Sequence, residues 1–119
     1  MNKMLFGVLL LVAGSVNAID SQAMAYCSGL ERSARSTMEA RQNGAAMADI
    51  LRVLEGVNAK MAASGKMTAE QLEAHSAVYE GMVIEAFSAP HFQTQHHKDR
   101  EVGDFANRYM RDCLKTWNK

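Results

Sequence analysis

The sequence predicts an all-α protein, a small antiparallel bundle of about four helices with one disulfide joining the first and last, preceded by a signal peptide. Three observations lead there. Apolar residues recur at spacings of three and four along most of the chain, and no segment shows the period of two that a half-buried strand requires. Turn signals, Asn43-Gly44 and the only proline, Pro90, interrupt that pattern. The 2 cysteines, Cys27 and Cys113, each fall on an apolar stripe near opposite ends of the chain.

The first eighteen residues have the three parts of a secretory leader. Met1 to Lys3 give a basic start, Met4 to Val12 an apolar run, and Val16-Asn17-Ala18 the small residues that precede a leader-peptidase cut. Cleavage is expected between Ala18 and Ile19, leaving residues 19–119 as a single helical domain. The apolar run is shorter than the about 20 residues needed to span a bilayer. Ser15 stands where a lipoprotein would need its acylated cysteine, so a soluble periplasmic or secreted bacterial protein is expected, with no stable membrane insertion after cleavage. In that oxidising space Cys27 and Cys113 have only each other to pair with.

Each helix has its own signals. Ala23, Cys27, Leu30, Ala34 and Met38 share one face of the first, which Asp20 or Ser21 can cap and Asn43-Gly44 can end. Met47, Ile50, Leu51, Leu54 and Val57 form the stripe of the second, and residues 58–66 read as a connection. Thr68-Ala69-Glu70-Gln71 is a capping box, with Met67 and Leu72 placed to staple it. Leu72, Tyr79, Met82, Val83, Ala86 and Phe87 form the buried face of that third helix, which should stop near Ser88 ahead of Pro90. The last helix is predicted from about Thr94 to Trp117, with Val102, Phe105, Ala106, Tyr109, Cys113 and Trp117 facing inward. The packing order of four such helices is not readable from the pattern.

Charge and motifs narrow the function. The 13 Lys plus Arg balance 13 Asp plus Glu with the signs interspersed, so no basic face favours nucleic acid. No nucleophile elbow or phosphate loop is present, and paired cysteines lose their thiol chemistry, so no enzyme and no cofactor is expected. The methionines after the leader, Met24, Met38, Met47, Met61, Met67, Met82 and Met110, lack M-x-x-M spacing and read as flexible core filler. His75, between Leu72 and Tyr79, reads as a half-buried helix residue. His91, His96 and His97 are weak candidates for a metal, because convergent ligands at zinc spacing are missing. Arg32 and Arg35 on the first helix, with Arg108 and Arg111 on the last, form a possible interaction face.

Several short motifs recur together: a leader, an early cysteine in the first helix, Arg41-Gln42-Asn43-Gly44 at its end, Ala86-Phe87-Ser88-Ala89-Pro90 at a helix exit, and Phe105 to Cys113 at the close. In these the chain resembles a loose group of small exported proteins of proteobacteria and their phages with no assigned function. That resemblance implies a helical fold with one disulfide and carries over no catalytic residue. The expected function is non-enzymatic binding of another envelope protein through a helical face, as an inhibitor, immunity factor or accessory subunit. The alternatives are a periplasmic stress chaperone active at low pH and a weak metal binder through His91, His96 and His97.

Overall fold

The computed structural model describes residues 20–117. The leader and the Ala18–Ile19 cleavage point lie outside the described residues. Four helices follow in order: α1 (Ser21–Gln42), α2 (Met47–Ser64), α3 (Ala69–Ser88) and α4 (Gln95–Trp117). Among the described residues there is no strand, and no helix is long and apolar enough to cross a membrane.

The helix ends follow local chemistry. Asp20 accepts a hydrogen bond from the Gln22 amide at 3.0 Å and caps α1. Gly44 takes the left-handed backbone (φ 89°) just after the last turn. Thr68 and Gln71 exchange their side chain-to-backbone bonds at 3.1 and 2.9 Å, so the capping box is formed. α3 stops at Ser88, two residues before Pro90.

One boundary differs from the sequence pattern. Residues 58–64 are helical, and the connection is only Gly65 to Thr68. Ala59, Ala62 and Ala63 carry no apolar stripe, but alanine is the strongest helix former and sustains the helix without one. α2 ends only where Gly65 adopts φ 68°.

The core is built by three helices. Leu30, Ala34 and Met38 of α1 meet Met82 and Ala86 of α3 and Val102 and Phe105 of α4. Met38, Met82 and Phe105 are the largest apolar side chains fully removed from solvent. Each stabilises the fold by about 1.5–3 kcal/mol relative to exposure. α1 and α4 run antiparallel as the most extensively packed pair, and Cys27 near the start of one bonds Cys113 near the end of the other. α3 lies against α1, with Tyr79, Phe87 and Tyr109 at the edges of the core.

α2 stands apart from this core. It packs on α3 as a helical hairpin and touches α1 only sparsely, and none of its residues is buried. The stripe of Met47, Ile50, Leu51, Leu54 and Val57 therefore lies outside the core. The α1 face turned toward α2 is Gly29, Ser33, Ser36 and Thr37, which offers no apolar surface to receive it. Leu72 is likewise only half-buried, and Trp117 is 42 % exposed and rests its ring 5.7 Å from that of Tyr26.

Candidate functional site: a groove walled by three helices

Because α2 leans away from α1, a groove of about 580 Å³ opens between α1, α2 and α3. Each wall is one helical stripe. α1 supplies Gly29, Arg32, Ser33, Ser36 and Thr37; α2 supplies Ile50, Val53, Leu54, Val57 and Met61; α3 supplies His75, Tyr79 and Val83. One wall is thus small and polar, the opposite wall aliphatic, and the floor mixed. Val53 at the rim is 66 % exposed and Val57 45 %. An aliphatic stripe left open at this level is the kind of surface that marks an interaction site.

The polar wall is internally organised. Thr37 Oγ1 donates to the Ser33 carbonyl at 2.7 Å, which fixes its rotamer along the helix. Ser33 Oγ lies 3.3 Å from the Tyr79 hydroxyl, where it donates and ties α1 to α3 across the floor. The His75 ring sits 4.4 Å from the Tyr79 ring. Partial burial lowers the His75 pKa below its ordinary 6.5, so the imidazole is neutral at pH 7. His75 makes no hydrogen bond to Ser33 or Tyr79 among the described residues, so no nucleophile–base pair is assembled here. A second hollow of about 430 Å³, lined by Tyr26, Lys66, Met67, Gln71, Ala74 and His75, adjoins the first through His75.

Another hollow of about 520 Å³ lies beside the disulfide, between Tyr26, Leu30, Glu85, Arg108, Tyr109 and Trp117. Its polar groups already satisfy one another. Tyr109 donates to Glu85 Oε2 at 2.8 Å, and Arg108 pairs with Glu85 Oε1 at 2.6 Å while lying over the Phe105 ring. Burial, and then the bonded and charged Glu85, hold the Tyr109 phenol well above its usual pKa. This is a brace between α3 and α4.

No known protein family, curated protein or solved structure matches this chain.

The four arginines do not share one surface. Arg35 pairs with Glu31 at 2.6 Å and lines a crevice between α1 and α4. Arg108 belongs to the α3–α4 brace, and Arg111 pairs with its neighbour Asp112 at 3.3 Å. Arg32 alone reaches the groove, and it has no ion-pair partner among the described residues.

The three histidines after Pro90 also go separate ways. His91 Nε2 donates to the Gln42 carbonyl at 2.9 Å, His96 meets Arg100 at 3.0 Å, and His97 meets Thr94 Oγ1 at 2.6 Å. Among the described residues no three ligating side chains converge as a metal site would require.

Sequence reasoning missed a clamp that sets the groove's frame. Gln42 is fully buried, its Nε2 donating to the Pro90 carbonyl at 2.8 Å and its Oε1 accepting from the Phe92 amide at 2.9 Å. Arg41 lies over the Phe87 ring and donates to the Ala89 carbonyl at 3.1 Å. The Arg41-Gln42 helix end and the Ala86–Pro90 exit, two separate motifs in the sequence, are thus one interlock. The available signal was Gln42 itself, a polar residue four positions after Met38 on the apolar stripe of α1.

Proposed function

We propose that this chain is an exported, non-enzymatic binding protein of the bacterial envelope, and that its groove receives an amphipathic helix of another envelope protein. It would act as an inhibitor, immunity factor or accessory subunit. The observation that carries the reading is the aliphatic stripe Ile50–Val53–Leu54–Val57–Met61, left open across from a polar wall instead of being buried in the core. Helix-in-groove recognition uses anchors at i, i+3, i+4 and i+7 against such a stripe. The stapled α1–α4 pair supports it with a rigid wall, which lowers the ordering cost of binding. The disulfide also fits an oxidising compartment.

The test is direct. A labelled peptide that folds as an amphipathic helix with leucines at those spacings is titrated with the protein and followed by fluorescence anisotropy. Binding in the micromolar range is expected, weakened at least about tenfold, or 1.4 kcal/mol, by V53N/V57N with an unchanged circular dichroism spectrum. Absence of binding by helical peptides, or binding indifferent to that double substitution, overturns the reading.

A second reading, a chaperone active at low pH, is favoured by the depressed pKa of His75 beside that stripe. Charging this imidazole disfavours the closed floor and would widen the apolar surface. It requires suppression of client aggregation near pH 3 that is absent at pH 7, measured by light scattering.

A further inference from the structure

We propose that the groove selects an anionic partner helix, one whose apolar anchors lie on the α2 stripe while its carboxylates meet Arg32 and Lys66. This rests on the groove reading above and adds the partner's charge. The chain as a whole is balanced, yet the charged side chains lining the groove and the hollow that adjoins it through His75 are only Arg32 and Lys66. No carboxylate lines either. The other two hollows are mixed: one sets Glu85 and Asp112 beside Arg108, the other Glu39 and Asp99 beside Arg35 and Lys98. The absence of acid is therefore local to the surface that also bares an apolar stripe.

Both cations are uncommitted. Neither Arg32 nor Lys66 has an ion-pair partner among the described residues, whereas Arg35, Arg52, Arg108 and Arg111 are all paired. A guanidinium with a free planar fork takes a carboxylate in two parallel hydrogen bonds, and a flexible ammonium adds a second point of attraction. The occupant's shape follows from the rim. Val53 and Val57 point out of the groove far enough to stay 66 % and 45 % exposed, so a single acyl chain laid along the floor leaves them wet. A helix, about 10–12 Å across, covers them. It also gives α2 the second packing partner that the fold withholds.

Three labelled helical peptides test this, sharing one leucine face and differing on the polar face: Glu-rich, Lys-rich and Gln-rich. They are titrated with the disulfide-bonded full chain and with R32Q/K66Q, whose fold is checked by circular dichroism and by the intact disulfide. The Glu-rich helix is expected to bind about tenfold tighter than the Lys-rich one at low salt, narrowing to about twofold near 0.5 M NaCl. R32Q/K66Q should abolish that preference and leave the Gln-rich affinity within about twofold. Equal binding of all three peptides overturns the charge selection while the groove reading stands. Binding of none overturns both. Dodecanoate binding that depends on Arg32 and Lys66, with no binding of the Glu-rich helix, assigns the groove to a small amphiphile and overturns the proposal.

Discussion

Gln42 shows how one polar side chain fixes a connection. A buried amide is costly unless its donor and acceptor are both used, and here Pro90 and Phe92 use them. Gln42→Ala removes both bonds and leaves backbone groups of the 90–92 segment unpaired. A loss of about 2 kcal/mol is expected, seen as a fall in Tm of about 10 °C in a thermal melt. A shift under about 2 °C means that Arg41 and the His91 bond to the residue-42 carbonyl hold the loop without the amide. The role was hidden in the sequence because an amide near a helix end ordinarily reads as surface, and its partners lie 48 and 50 positions away. His75 makes the complementary case. Its pKa is lowered in the fold, so the unfolded chain binds more protons between pH 6.5 and that lower value. Stability from this residue is therefore complete above pH 6.5 and declines as pH falls below it. Arg32 and Lys66 are the other charged groups on its two hollows. Urea midpoints of wild type and His75→Gln should diverge less at pH 5 than at pH 7.5 if the glutamine packs less well. The pH slope between those values should be shallower in the variant.

Among the elements, α1, α3 and α4 were legible because their signals are local and redundant. Asp20, the Asn43-Gly44 pair, the Thr68 box and Pro90 each act within one turn, and each sits where the helix boundary falls. The stripes of α1 and α4 were legible too, since burial and periodicity agree along Cys27–Leu30–Ala34–Met38 and Val102–Phe105–Ala106. α2 was legible as an amphipathic helix, but where its apolar face would lie was not. Periodicity reports that a helix has an apolar face; it does not report whether the fold supplies a surface to cover it. That information is non-local and lies in the polar face of α1. The distinction is measurable. Val57→Gln is expected to change stability by no more than about 0.5 kcal/mol, as at an exposed site, although it lies in the most regular stripe of the chain. Met82→Ala, in the fully buried three-helix core, should cost about 2–5 kcal/mol. Denaturant midpoints of the two variants separate these cases, and a Val57→Gln loss approaching that of Met82→Ala means that α2 closes onto α1 in solution.

For the whole molecule, the disulfide is what lets so small a core leave a helix face open. Its pairing was legible because two cysteines allow one partner choice; its consequence depends on where the helices lie. The bond joins positions 86 apart, so the loop it closes contains all of α2 and α3. In the chain-entropy view, closing a loop of that length removes about 4–5 kcal/mol of freedom from the unfolded chain. A domain of this size has about 5–15 kcal/mol of total stability, so the single bond accounts for a large share of it. The ion pairs do little to replace it, because Arg35–Glu31, Arg108–Glu85 and Arg111–Asp112 are all solvent-exposed to a degree that leaves each worth about 0–1 kcal/mol. C27A/C113A keeps the small apolar character of both positions and removes only the link. It should retain its helical spectrum at 10 °C but melt about 20 °C lower, and the drop should persist at 0.5 M NaCl, since screening has little to act on. In the native protein Cys27 is fully buried, so reduction by dithiothreitol has to wait for the α1–α4 pair to open. The rate of thiol release should therefore rise steeply with sub-denaturing urea. Rapid reduction without urea, or a double-alanine Tm within about 5 °C of wild type, means that the three-helix core holds α1 against α4 by packing alone.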